Sequence, residues 1–122
     1  MSKKIFINFS SYPSNRWEEK KLEAAKQFGE IIDIPFPSIP DGKTIREIED
    51  MAKAKEKEIL EMAAGNDTTI LVTGEPVYTF SLLRLLKADG IRCVVSSAKE
   101  VVKDLGNGEK IGQIKFLRFL KF

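Results

Sequence analysis

The stretch that decides the fold is Thr68-Thr69-Ile70-Leu71-Val72, then Thr73-Gly74-Glu75-Pro76, then Val77 to Gly90, then Ile91-Arg92-Cys93-Val94-Val95. The opening run, short, apolar and rich in β-branched residues, predicts a buried strand. Gly74 permits a tight turn, and Pro76 suits the first turn of a helix, where its missing N–H would have no partner anyway. Phe80, Leu83 and Leu86 recur at helical spacing, with Leu82 and Leu85 widening the apolar face. Gly90 ends that helix, and Ile91–Val95 reads as a second buried strand. The unit is strand, turn, helix, strand. Such crossovers join parallel strands right-handedly, and ligands bind where strand C-termini meet helix N-termini.

The same pattern repeats upstream. Lys4–Phe9 reads as a strand, followed by a polar loop from Ser10 to Asn15 in which Ser14 or Asn15 caps a helix carrying Trp17, Leu22, Ala24, Ala25 and Phe28. Gly29 stops that helix. Glu30–Pro35 reads as a second strand, and Pro37, Pro40 and Gly42 mark a surface connection. Thr44 and Glu47 form a capping box for a long helix whose apolar side is Ile48, Ala52, Ile59 and Met62. The mixed charges from Lys53 to Glu58 read as its solvated face. Beyond Val95 there are two readings. Ser97 can open a short helix, or Lys99–Leu105 can be a strand that returns through Asn107-Gly108 to Gln113–Phe122. The hairpin is favoured because Asn-Gly suits a two-residue turn. The expected fold is one α/β domain over residues 1–122: a three-layer sandwich with a mainly parallel sheet and a C-terminal β-hairpin.

With 122 residues, the chain can bury a core of its own. A net charge of +2 lends no support to coating nucleic acid, so no double-stranded nucleic acid is expected as a partner, although a local basic site stays open. The lone Cys93 falls in a buried strand and reads as core filler, in keeping with a cytoplasmic location. No stretch resembles a signal peptide or a membrane span. The chain has no histidine, which removes Ser-His and Cys-His pairs and most catalytic zinc sites. Acidic residues show no ligand spacing, and neither a Gly-x-Gly-x-x-Gly nor a P-loop is present, so no metal and no cofactor are expected.

If the strand order is 2-1-3-4, the loops after strands one and three line one crevice. Those loops supply Ser10, Ser11, Asn15 and Arg16, and Thr73, Gly74, Glu75, Tyr78 and Thr79. Helix N-termini there attract phosphate, Arg16 adds charge, and Tyr12, Trp17 and Tyr78 can stack on a base. Glu75 repels phosphate. It fits three roles: a charge in the first helical turn, a ribose contact, or a base.

The run Ser-Ser-Tyr-Pro-Ser-Asn-Arg-Trp (10–17) after a strand, Ile-Asp-Ile-Pro-Phe-Pro (32–37), and Thr-Gly-Glu-Pro-Val-Tyr-Thr-Phe (73–80) before an apolar helix resemble small CRISPR-associated proteins of the CARF type. The resemblance implies a Rossmann-like domain that binds cyclic oligoadenylate, an antiviral-defence second messenger, across a homodimer. Some relatives also cleave the ring and are called ring nucleases. Carried over by position, the ligand contacts are the two loop sets named above, and cleavage would draw on Glu75 and Arg16. Some ring nucleases use a histidine that this chain lacks. Cleavage, in this reading, would be metal-independent, with the ribose 2′-OH attacking its own phosphate. The alternatives are an α/β module for a mononucleotide or small metabolite, and a protein-interaction module presenting the third helix and the Phe116–Phe122 tail.

Overall fold

The computed structural model describes residues 2–122. The elements are β1 (Lys4–Ser10), a 3-10 turn (Ser14–Arg16), α1 (Glu19–Lys26), β2 (Glu30–Pro35), α2 (Ile45–Ala63), β3 (Asp67–Thr73), α3 (Pro76–Ala88), β4 (Arg92–Asp104) and β5 (Lys110–Lys121). They build a five-stranded sheet in the order β2-β1-β3-β4-β5. Strands β1 to β4 are parallel and β5 runs antiparallel to β4. This is the expected Rossmann-like α/β sandwich, with strand one beside strand three.

Alternation along β1 explains the layers, because successive side chains point to opposite faces of a sheet. Ile5, Ile7 and Phe9 join Ile48, Ala52 and Ile59 of α2 and Tyr78, Leu82, Leu83 and Leu86 of α3 in the larger core. Phe6, on the other face, packs with Trp17, Ala25, Leu71 and Val94, closed by Leu22, Phe28 and Phe119. The apolar surplus of α3 is therefore taken up by α2 as well as by the sheet. Phe80 alone among its large apolar residues stays broadly exposed. Cys93 is buried in the first core and burial pushes its thiol up to about 11, which fits a filler rather than a nucleophile. No described helix is long and apolar enough to cross a membrane.

Three local expectations are corrected. Neither Ser14 nor Asn15 caps the first helix: they sit in the 3-10 turn, Trp17 is extended, and α1 starts at Glu19. Ser14 is drawn away by Asp33, whose carboxylate accepts from the Ser14 N–H at 3.1 Å and the Ser14 hydroxyl at 2.8 Å. The favoured hairpin is found rather than a short helix at Ser97, but its first arm is no separate strand: β4 runs for 13 residues from Arg92 to Asp104. The hairpin's first arm is thus the continuation of strand four. Its turn spans Leu105 to Glu109, closed by the Leu105 N–H donating to the Glu109 carbonyl at 3.0 Å, rather than two residues at Asn107-Gly108.

Candidate ligand-binding cleft

β1 and β3 stay paired to their last residues, Ser10 with Thr73. β3 and β4 do not. They pair only over Thr69–Leu71 and Arg92–Val94, after which β4 parts from β3 and continues with β5 as a two-stranded ribbon. The parting opens a cleft of about 680 Å³ at the C-terminal edge of the sheet. Val72, Thr73, Val95 and Ser96 form its floor. One wall is Tyr12, Arg16, Trp17 and Lys21; a second is Thr79, Phe80 and Leu83 of α3; the third is Ala98, Ile114 and Phe116 of the ribbon. The expected crevice exists, but it is centred between β3 and β4 rather than over β1 and β3.

Buried polar groups hold the first wall in place. The Tyr12 carbonyl accepts from Asn8 Nδ2 at 2.9 Å and from Trp17 Nε1 at 3.2 Å. Asn8 Nδ2 also donates to Asp33 Oδ1 at 2.8 Å, and Ser10 Oγ donates to Asn8 Oδ1 at 2.7 Å. Satisfied networks of this kind fix a loop in one conformation. The ribbon is tied to the same wall, since the Phe116 N–H donates to Glu18 Oε1 at 2.6 Å.

The residues singled out in the two loops separate into three groups. Arg16, Thr73 and Thr79 line the cleft. Arg16 is exposed and forms no ion pair among the described residues. The Thr79 hydroxyl is buried without a hydrogen-bond partner. Ser11 and Asn15 are exposed outside the cleft, while Ser10 is buried in the loop network. Gly74 lies at the β3–α3 turn, where a Cβ would fall 2.5 Å from the Phe36 ring.

Tyr78 and Glu75 take structural positions. Tyr78 does not reach the cleft. It stacks on Phe9 at 6.1 Å and meets Phe36 edge-on at 5.0 Å in the larger core. Burial, with the Glu58 carboxylate adding to it, pushes its hydroxyl up to about 12. The exposed rings of Tyr12 and Phe80 offer the stacking faces instead. Glu75 is the N-cap of α3: its two carboxylate oxygens accept from the Val77 N–H at 3.0 Å and the Tyr78 N–H at 2.8 Å. Pro76 has no N–H, and Thr79 N–H is taken by the Glu75 carbonyl. The α3 N-terminus therefore offers no free donor to a phosphate.

Glu75→Gln removes the charge at the cap and one of its two acceptor contacts, so it is expected to cost about 1 kcal/mol of stability in denaturant unfolding. Ligand affinity and turnover should stay unchanged. A tenfold or greater loss of either, at full stability, would return Glu75 to the chemistry.

Lys21 is a cleft residue that the loop reading missed. Its Nζ sits 4.3 Å from the centre of the Trp17 ring and 6.0 Å from that of Phe116. Burial lowers its pKa from the usual lysine value, against a smaller opposing pull from Glu18. Sequence spacing gave no signal for it, because Trp17 is extended and lies before α1, so the four-residue spacing between them is not a helical turn. No group of three or more metal-ligating side chains occurs among the described residues.

Residues 3–122 match the family described as "Uncharacterized protein MJ1673 family". The chain belongs to the MJ1673 family. The match covers nearly the whole chain, from the start of β1 through the ribbon, so all three walls of the cleft lie within the family's matched span. No curated protein and no solved structure matches the chain.

Proposed function

We propose that the cleft binds cyclic oligoadenylate between two copies of the chain, as a stand-alone sensor, sponge or ligand-degrading subunit of a CRISPR-linked antiviral system. The observation that carries the reading is the pairing, in one cleft, of open aromatic faces with two cations, Arg16 and Lys21, that form no salt bridge among the described residues, although the Glu18 carboxylate also lines the cleft and acts on Lys21. Tyr12 and Phe80 present ring surface on which a base stacks, and Arg16 and Lys21 stand where a phosphate would sit. Thr79 adds a buried hydroxyl awaiting a partner. A ring-shaped ligand with rotational symmetry is matched by a two-fold protein interface. Tyr12, Phe80 and Ile114, all well exposed on the cleft's lips, supply apolar surface for a second copy to cover.

Cleavage, as a second activity, needs little from the protein. The ribose 2′-OH gives its proton to solvent as it attacks its own phosphorus, and the neighbouring 5′-oxygen leaves and takes up a proton from solvent, giving a 2′,3′-cyclic phosphate and a free 5′-hydroxyl. Holding the attack in line and stabilising the charge on the phosphoryl oxygens is work for Arg16 and Lys21.

Calorimetry and thermal shift with a panel of cyclic oligoadenylates, adenosine mononucleotides and linear oligoadenylates tests the reading, with light scattering for assembly and chromatography in chelator for products. The expected result is a dimer that binds one cyclic ligand per pair of chains. A strict monomer counts against the shared site. A chain that binds only mononucleotides moves to the metabolite reading, and one that binds nothing in the panel overturns the proposal.

A further inference from the structure

The ribbon separates its charges by face. Residues opposite one another on antiparallel strands project to the same face. The pairs Ser97–Arg118, Lys99–Lys115, Val101–Gln113 and Lys103–Ile111 therefore share one face. Ala98–Phe116, Glu100–Ile114, Val102–Gly112 and Asp104–Lys110 share the other, which is the face that closes the cleft. The first face holds Lys99, Lys103, Lys115 and Arg118 and no acid. All four cations are exposed, and none forms an ion pair among the described residues. The acids Glu100 and Asp104 are on the opposite face, too far round to neutralise them. Lys99 and Lys115 stand directly opposite each other, an arrangement that costs stability unless an anion covers it. The chain's net charge of +2 conceals this separation.

We infer that the basic face of the ribbon docks on the phosphodiester backbone of a nucleic acid, a binding activity separate from that of the cleft. Four unpaired cations on a two-stranded ribbon match a row of phosphates, and a ribbon of this width enters a nucleic-acid groove. Aromatic residues are absent from this face and its bare apolar side chain is Ile111, so it lacks the insertion residues a lipid surface would call for. Its contacts are to backbone rather than base edges, so binding is sequence-independent.

The test uses the full chain and fluorescence anisotropy with labelled single-stranded RNA, single-stranded DNA and duplex DNA of mixed sequence, over a salt titration. With four phosphates neutralised, the slope of log affinity against log salt should be roughly −3.6 on duplex DNA or −2.8 on a single strand, from about 0.9 and 0.7 per phosphate. Lys99→Thr, Lys103→Thr, Lys115→Thr and Arg118→Thr together should abolish most of that slope and weaken low-salt binding by roughly a hundredfold, the expected scale for four lost phosphate contacts. This variant should melt no lower than the parent, because the Lys99–Lys115 repulsion is gone. A control changes the exposed Lys20, Lys26, Lys53 and Lys57 to Gln, with the same change in net charge, and should keep the slope. The inference is overturned by equal losses in both variants, by no binding to any of the three nucleic acids at low salt, or by binding to anionic vesicles alone.

Discussion

Arg16→Ala and Lys21→Met combined are expected to lower affinity for a cyclic oligoadenylate by about 3–5 kcal/mol, from roughly 1.5–3 for each charge-assisted contact with some loss of additivity between neighbours. That is a factor of about a hundred to a few thousand, at about 1.4 kcal/mol per tenfold. Met keeps the apolar stem of Lys21 against Trp17 and Phe116 while removing the ammonium, so the wall should survive. The single variants should differ in two ways that a merely structural role would not produce. Arg16 is exposed, so its contribution should fade as salt rises, whereas the half-buried Lys21 is screened less. Arg16 also stays charged at any working pH, while burial lowers the pKa of Lys21. Affinity resting on Lys21 is present below that lowered pKa and lost as pH rises through it. Arg16→Ala should therefore lose binding as pH rises through the lowered Lys21 pKa, and Lys21→Met should be flat over the same range. Stability moves the opposite way. The unfolded chain holds the Lys21 proton more tightly than the folded one, so stability rises as pH climbs from the folded pKa toward the ordinary lysine value. Calorimetry across pH and salt reads all of this. Unaltered affinity in the double variant would remove the cleft from consideration as a phosphate site.

The core order of the fold was legible because its signals are local. Apolar runs at Lys4–Phe9 and Thr68–Val72, punctuated by Gly29, Gly74, Pro76 and Gly90, name the strands and helices without reference to partners. Tyr78 was legible too, in principle: it lies four and eight residues before Leu82 and Leu86, on the face that meets the sheet. Its place beside a polar turn suggested a ligand contact, and helical phase decided otherwise. Glu75 reads similarly, since Pro76 at the first helical position makes the preceding residue the cap. The ribbon was harder. Ser97–Asp104 has neither strand-like alternation nor a helical face, because none of its residues is buried: one face borders the open cleft and the other faces outward. The cleft's third wall, and the shift of its centre to the β3–β4 parting, depend on where two strands stop pairing. Nothing in either strand alone states that.

Gly29→Ala is expected to destabilise the fold by about 2–6 kcal/mol, from roughly 1–3 for an unfavourable backbone conformation and 1–3 for a forced clash. Gly29 has φ of +145°, a region that side chains rarely enter. An added Cβ would fall 2.3 Å from the Lys4 carbonyl carbon and oxygen and 2.6 Å from the Ile5 nitrogen, all backbone atoms that no rotamer change can move. Relief requires β2 to shift away from β1, yet the next residue, Glu30, is already paired with Ile5. A shift there would also move Phe28 against Phe6 and Phe119 in the smaller core, where the rings lie 5.9 and 6.3 Å from that of Phe28. Gly65→Ala supplies the comparison. Gly65 has φ of +77° with nothing within 4 Å of an added Cβ, so that variant should lose about 1 kcal/mol from conformation alone. Denaturant unfolding of the two variants separates strain from contact. Equal losses would mean that the Lys4–Gly29 approach is loose. A much larger loss at Gly29 means that the α1–β2 junction sets the register of β1, and with it the position of the Asp33 carboxylate that holds the Tyr12–Arg16 wall of the cleft.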